Sequence, residues 1–226
     1  MHAEKLKSFA IAMVTALGIL LGVVPIASAQ NIQCTGAIQG TTIDGNLTVP
    51  TNANCTLLDV TVNGNVRVGT GASLRVEPPP GRPVTINGNL TADQCNFVVL
   101  VPFSVPFMVI SVAGNVNLQN CGLNNEVDFV TIAGNFVCAN NPLGCGARGS
   151  VVQGNLTVDG NSRAVDVVGN QVSGNVDVSG NSGSAPVVED NTIGGNLKCF
   201  DNNPSAVDLG FPNTVGGHKQ GQCAGL

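Results

Sequence analysis

The feature that most constrains this chain is a Gly-Asn pair that recurs eight times from residue 45 onwards. A three-residue segment such as Leu47-Thr48-Val49 follows each pair, and successive Asn residues are 19, 24, 26, 20, 20, 20 and 21 positions apart. Such a period is typical of solenoids, in which each repeat buries its apolar face only by stacking on its neighbours. The repeat residues are Asn46, Asn65, Asn89, Asn115, Asn135, Asn155, Asn175 and Asn196, with a degenerate ninth copy at Gly217-His218-Lys219.

The segment after each pair alternates with the period of a half-buried strand. Its first position is always Leu, Val or Phe, and its middle position is mostly polar. No segment after Gln30 keeps a helical period, because the Gly-Asn pairs interrupt it. The pattern predicts an all-β chain, a right-handed parallel β-helix (solenoid) of about eight to nine coils in one domain, residues 30–226. The right-handed sense follows from the general preference of parallel crossovers.

The Asn residues are expected to have a structural role. Gly and Asn both tolerate positive φ, so we expect the pair to turn the chain at one corner of each coil. Aligned Asn amides can then hydrogen-bond from coil to coil as a ladder. Two further ladders are predicted in the C-terminal half, six residues after the repeat Asn and five before the next: Asn161, Asn181, Asn202 and Asn170, Asn191, Asn213.

Residues 1–29 have the pattern of a signal peptide. An apolar run from Phe9 to Ile26 precedes Ala27-Ser28-Ala29, which has the small-residue spacing of a cleavage site. Cleavage there would make Gln30 the mature N-terminus. An uncleaved membrane anchor is the alternative, since a run of about 18 apolar residues is long enough to span a bilayer. We expect a secreted or cell-surface protein with no membrane span after cleavage.

All eight cysteines follow this segment, and an even number in an exported chain indicates disulfides. Cys95 and Cys121 each lie six residues after a repeat Asn, so they should stack about 5 Å apart in adjacent coils. Cys34–Cys55 would close the first coil, Cys199–Cys223 the last, and Cys138–Cys145 would form a local bridge. Only Cys95–Cys121 has a register argument, so the other pairings stay open. A metal site is disfavoured, because no Cys-x-x-Cys motif occurs.

The longest coil contains an apolar segment, residues 97–110, that prolines at 102 and 106 interrupt. It is too short to span a membrane. Either it forms a pair of strands that fill the core, or it is a side loop that docks a partner or a second copy of the chain. Upstream, residues 78–83 contain three consecutive prolines and predict a stiff loop.

Composition narrows the function. Nine Lys and Arg residues against fourteen Asp and Glu give a net charge of −5, so nucleic acid is not an expected partner. The chain has no Trp or Tyr that would form a stacking platform for sugars. Arg67, Arg75 and Arg82 form the only local basic group, and Asp177 is the only acid at the middle strand position. We interpret these as solvated charges.

The sequence therefore predicts a non-enzymatic β-solenoid without catalytic residues, metal or cofactor, which binds or adheres to an extracellular protein or glycan. The alternative is a carbohydrate-active enzyme, lyase- or hydrolase-like, or a glycan-binding module, because fold alone does not determine function. A third interpretation is an ice-binding face. It would need a regular Thr array, and Thr48, Thr91 and Thr157 supply only an interrupted one.

The C-terminal repeat carries a resemblance. With Gly194-Gly195-Asn196-Leu197-Lys198-Cys199 and the ending Gly221-Gln222-Cys223-Ala224, the chain resembles a group of uncharacterised exported bacterial proteins. They share Gly-Gly-Asn-Leu-x-Cys repeats and a Cys-Ala terminus. The resemblance implies bacterial secretion and a β-helix, and it carries over no functional residue. His218 replaces the Asn that such repeats show, which fits a terminal cap.

Overall fold

The computed structural model describes residues 30–102 and 110–226, and they form a parallel β-solenoid of about nine turns. This confirms the predicted fold class. The right-handed sense stays a prediction. The predicted signal peptide and the middle of the apolar segment, residues 103–109, lie outside the described residues. Within the described ranges the one helix is η1, a four-residue 3-10 helix at Gln222–Gly225.

Each coil has three sides, and like sides stack into parallel sheets. Side one is a sheet of ten strands: β1 Ile32–Gln33, β3 Leu47–Val49, β5 Val66–Val68, β8 Leu90–Asp93, β11 Val116–Gln119, β14 Phe136–Ala139, β17 Leu156–Asp159, β20 Val176–Ser179, β23 Leu197–Cys199 and β25 Lys219–Gly221. Sides two and three belong to one sheet of fifteen strands.

Two long strands, β2 Ala37–Ile43 and β4 Asn54–Val62, run along both side two and side three and join them. Side two then continues with β6 Ser73–Val76, β9 Phe97–Leu100, β12 Asn125–Asp128, β15 Gly144–Arg148, β18 Ala164–Val168 and β21 Val187–Glu189. Side three continues with β7 Val84–Ile86, β10 Ile110–Val112, β13 Val130–Ile132, β16 Val151–Val152, β19 Gln171–Val172, β22 Thr192–Ile193 and β24 Thr214–Val215.

The core is a set of stacked apolar columns inside the three sides. On side one the first and third strand positions point inward, and Leu47 and Val49 are both 0% exposed. Their partners in the next coil are Val66 and Val68, which are also buried. Because adjacent strands lie about 4.8 Å apart, an inward residue contacts the equivalent residue of the next coil. The middle positions face solvent, as the alternation predicted.

The Gly-Asn corner has a different cause from the one predicted. The eight repeat pairs are all described, and none of their residues has a positive φ. Glycine is needed because the coils approach closely: a Cβ on Gly174 would lie 2.6 Å from the carbonyl oxygen of Gly154. The first corner, at residues 30 and 31, has no such close approach and no glycine. Gln30 replaces glycine before Asn31, and no coil of the described chain precedes it.

The left-handed residues lie instead at the other two corners. One column ends side one and includes Asn52, Gln94, Asn120, Asn140 and Asp201, with φ between 54° and 59°. Another ends side two and includes Asp59, Phe129, Gly149, Gly169 and Asp190, with φ between 55° and 66°. Gln94 and Phe129 are not typical turn residues, so their sequence does not predict these corners.

The ladder of repeat Asn residues is present and longer than predicted. Each Asn donates its backbone N–H and its Nδ2–H to the Oδ1 of the Asn one coil earlier; Asn65 does so to Asn46 at 2.8 and 3.2 Å. The ladder begins at Asn31, which accepts from Asn46. It ends at His218, whose N–H donates to Asn196 at 2.8 Å. No described coil follows that would need an acceptor from His218.

Two inner ladders run in the opposite direction and are buried. Asn181 accepts two hydrogen bonds from Asn161 in the preceding coil and donates to Asn202 in the following one. The predicted inner residues are all 0–5% exposed. The structure adds three members that the sequence analysis missed: Asn141, Ser150 and Gln222.

All eight cysteines are paired, in the combinations that the sequence analysis described. The Cα–Cα distances are 5.5 Å for Cys34–Cys55, 4.4 Å for Cys95–Cys121, 6.4 Å for Cys138–Cys145 and 5.2 Å for Cys199–Cys223. Four disulfides suggest that the protein folds in an oxidising compartment.

Candidate functional site

A groove of about 400 Å³ lies on side two of the described chain. It crosses three consecutive rungs, because Arg75 of β6 pairs in register with Val99 of β9, and Val99 pairs with Glu126 of β12. The groove is lined by Arg75, Glu77, Phe97, Val99, Val101, Leu123, Asn124 and Glu126. We call it the side-two groove.

The floor of the side-two groove is apolar. Phe97, Val99 and Val101 are the outward residues of the apolar segment and are half-buried, whereas the inward Val98 and Leu100 are fully buried. Leu123, in the loop before β12, is 42% exposed and extends the floor. The described ends of residues 97–110 therefore fill the core with one face and form a surface with the other, while residues 103–109 lie outside the described chain.

The rim of the groove carries charges of both signs. Arg75 places its guanidinium carbon 5.3 Å above the ring centre of Phe97, and its Nη1 lies 2.5 Å from the Oε1 of Glu77. Glu126 stands across the groove and accepts a hydrogen bond from Asn124 at 3.2 Å. One arginine is therefore matched by two carboxylates, so the rim favours a positively charged ligand.

A cluster of charges continues along side two beyond the groove. Arg148 lies 3.3 Å from Asp128 in the preceding coil and 2.5 Å from Asp166 in the following coil. Its guanidinium passes over Gly146, where a Cβ would be in ordinary van der Waals contact with the guanidinium carbon, at 3.6 Å. Burial raises the pKa of Asp128, because desolvation of its carboxylate outweighs the attraction of Arg148.

This charged cluster was not predicted from the sequence. Asp128 and Arg148 are 20 residues apart, the length of a regular coil, so their stacking could have been read from the repeat. Arg148 and Asp166 are only 18 residues apart, and Asp166 pairs in register with Gly146 rather than with Arg148, so their contact is diagonal. That diagonal contact has no signal in the spacing.

The three arginines predicted to form a local basic group are separated in the structure. Arg67 lies on side one, where it lines a smaller groove of about 200 Å³ with Thr91 and Asp93. Arg75 lies on side two, and Arg82, in the loop before β7, lies 3.6 Å from Asp59. These neighbours in sequence therefore occupy different parts of the coil, and all three side chains are exposed, which agrees with their interpretation as solvated charges.

Asp177 and the threonines also form no site together. Asp177 lies on side one next to Ser179, whose hydroxyl donates to it. Burial and the charge of Asp177 raise the pKa of Asp159 in the adjacent strand. Thr48 and Thr91 are separated in register by Arg67, and Asn117 and Val137 lie between Thr91 and Thr157. The Thr array is interrupted, as the sequence indicated.

Two further observations concern the described residues only. Across residues 30–102 and 110–226, no three His, Cys, Asp or Glu side chains are grouped so that they could hold a metal ion. The same ranges contain no helix with the length and apolar character needed to cross a membrane.

The fold defines the class of the protein as a parallel β-solenoid with four disulfides within the chain. Comparison with protein-family models, with curated proteins and with solved structures finds no match to this chain. Function therefore has to be inferred from the geometry of the coils.

Proposed function

We propose that this chain is an exported, non-enzymatic binding protein that holds a basic and apolar segment of an extracellular protein in the side-two groove. Export is supported by the cleavage motif and by four disulfides. The observation that carries the proposal is the groove itself. An apolar floor that includes a 42% exposed leucine is open to solvent beside a rim with excess negative charge.

The chemistry of the groove favours protein over sugar as the ligand. Apolar patches rimmed by polar groups are typical of protein-binding sites. Sugar recognition commonly uses exposed aromatic faces. Among the described residues that line the groove, Phe97 has the one aromatic ring, and it lies under the guanidinium of Arg75. The parallel pairing of β6, β9 and β12 and the buried Cys95–Cys121 disulfide hold the groove in place, which reduces the entropy cost of binding.

Selection of peptides from a random displayed library against the processed protein tests this proposal. We expect enriched peptides to combine a large apolar residue with Lys or Arg, and their binding to weaken with added salt. Val99→Lys should weaken binding about tenfold or more, since it places on the apolar floor a charge of the same sign as the ligand. Val137→Lys is the matched control, because Val137 is an outward, half-buried valine on side one. Selected peptides that bind both variants equally would contradict the proposal.

A carbohydrate-active enzyme is the second candidate, and the Asp128–Arg148–Asp166 cluster is the observation that favours it. A carboxyl group with a raised pKa can act as a general acid, and an arginine can hold a uronate carboxylate. Against this, both carboxylates bind Arg148 in the free protein. A panel of polyuronides decides between the two: turnover that Asp166→Asn abolishes would establish the second function and remove the first.

A further inference from the structure

The two ends of the solenoid are finished differently. At the N-terminal end, β2 pairs with β4 on one edge only, and within the described residues nothing pairs with its other edge. It is one of the longest strands, with seven residues, and no charge or proline occurs between Gln30 and Ile43. Natural edge strands are usually protected by charges, prolines or covering segments, and among residues 30–102 and 110–226 none of these protects β2.

The C-terminal end is covered. Helix η1 follows the last strand, and its Cys223 is buried and bonded to Cys199. The Gln222 side chain accepts the last hydrogen bonds of an inner ladder from Asn202, and Leu226 packs on the core. Head-to-tail stacking of copies is therefore blocked at this end. It would also bring Asn31, which needs an acceptor, against His218, which has no amide oxygen.

We propose that two copies of the processed chain, with residues 1–29 removed, join through their N-terminal ends by antiparallel pairing of β2 with β2. The pairing is isologous, so it closes after two copies. It continues the fifteen-stranded sheet across the interface and occupies the free edge. No side chain from Gln30 to Ile43 is charged, so this part of the two copies brings no like-charged side chains together.

The direction of the side chains on β2 defines the register. Ile38, Thr41 and Ile43 stack on the buried Leu57, Val60 and Val62, so they face the interior of the coil. Gln39 and Thr42 stack on Leu58 and Thr61 and face solvent. Antiparallel partners must lie on the same face of a sheet. This places Gln39 opposite Thr42 of the second copy, and Ile38 opposite Ile43 of the second copy.

The backbone hydrogen bonds lead to the same register. The carbonyls of Gly36 and Ile43 accept from Thr56 and Asn63 of the next coil, at 3.0 and 2.8 Å. The alternation of backbone direction restarts at the corner formed by Gly40, whose φ is 63°. Counted from Gly36 on one side of this corner and from Ile43 on the other, the backbone groups of Gln39 and Thr42 both face the open end. These two residues can therefore exchange hydrogen bonds across the interface, as a directly opposed antiparallel pair does.

The strand of side one at this end is compatible with the same two-fold axis. The N–H groups of Ile32 and Cys34 donate to Asn46 and Thr48 of the next coil, both at 2.8 Å. The backbone groups of Gln33 between them therefore face the open end. The axis that relates the two β2 strands then sets Gln33 against Gln33 of the second copy, so all three sides can continue through the interface.

The molar mass of the exported and processed protein, measured by sedimentation and light scattering across a concentration series, tests this. We expect a dimer. Gln39→Lys with Thr42→Lys places like charges opposite each other twice, and it should raise the dimer dissociation constant about tenfold or more. Gln39→Glu with Thr42→Lys places opposite charges there instead, and it should keep the dimer. The control is Gln153→Lys with Thr192→Lys, the same two charges at exposed positions of interior coils.

Three outcomes would overturn the inference. The first is a monomer at every concentration, and the second is a mass that grows beyond the dimer, which indicates head-to-tail stacking. The third is a dimer that the two lysines at 39 and 42 leave unchanged. All substituted side chains are exposed in the single copy, so unchanged thermal unfolding of the monomers separates loss of pairing from loss of folding.

Discussion

The C-terminal half of the solenoid is regular, and the N-terminal half is not. From Asn135 to Asn196 the repeat Asn residues are 20 or 21 positions apart, and an outer and two inner Asn ladders connect the coils. Between Asn65 and Asn115 the spacing widens to 24 and 26. That irregular stretch and the coil after it together contain the Cys95–Cys121 disulfide and the side-two groove.

One column of residues connects the two halves. The position six residues after the repeat Asn is occupied by Cys95 and Cys121, and then by Asn141 and its successors. The two chemistries meet where the N–H of Cys121 donates to the Oδ1 of Asn141 at 2.8 Å. Regular coils are thus held by amide ladders. Where an insertion lengthens the coils, a covalent bond takes the place of the ladder and leaves the outer surface free to vary.

The largest effect is expected from breaking an inner ladder in the regular half. Asn181→Leu keeps the branched shape of the side chain but leaves two donors of Asn161 and the carbonyl of Val158 without partners in a buried site. We expect a loss of about 4 kcal/mol in the free energy of unfolding. Asn175→Leu in the exposed outer ladder should cost about 1 kcal/mol, because water replaces the lost bonds. Urea unfolding with the disulfides intact measures both, and equal losses would contradict the distinction.

The second-largest effect tests the column of residues in which Cys95 and Cys121 are followed by asparagines. Replacing Cys95 and Cys121 by serine should cost about 3 kcal/mol, since the bond closes a loop of 26 positions. Replacing both by asparagine should restore about half of that loss, because an Asn at 121 can accept from position 95 and donate to Asn141. Thermal unfolding of the two double variants compares them. If the Asn pair is no more stable than the Ser pair, the ladder cannot extend into the irregular half.

Much of the fold, but not the groove, could be predicted from the sequence. The spacing of the repeat pairs predicted the coil, its inward residues and the ladders, because stacking repeats the same contacts in every turn. It did not predict the groove, since Val98 and Val99 look alike until the sides of the coil are known. It missed the first copy at Asn31 because Gln30 stands where glycine was expected. Glycine is needed only where a preceding coil packs closely against the corner, and the turn of the chain at the corner does not itself require it.

The third effect tests that reason for glycine. In Gly174→Ala the new Cβ would lie 2.5 Å from the Oδ1 of Asn155 as well as against the backbone of Gly154. We expect a loss of about 2 kcal/mol or more, as for other overpacked sites. Gly36→Ala is the matched control, because its Cβ would have no atom within 4 Å and its φ is not positive. A stable Gly174→Ala protein would mean that the corner is set by conformation after all.

The smallest effect concerns the charges on side two, and it separates a structural cluster from a poised acid. The pKa of Asp128 in the folded protein is raised above its ordinary value of 3.8. At a pH between these two pKa values, the folded protein therefore keeps a proton on Asp128 that the unfolded chain has already lost. Stability from this group is therefore present below pH 3.8 and is lost as the pH rises through the folded pKa. In Asp128→Asn the side chain cannot ionise. The melting temperatures of the two proteins should converge at acid pH, and the wild type should fall relative to the variant as the pH rises. A wild type that gains stability relative to the variant above pH 4 would show that its pairing with Arg148 outweighs burial, and that Asp128 is an ordinary ion-pair partner.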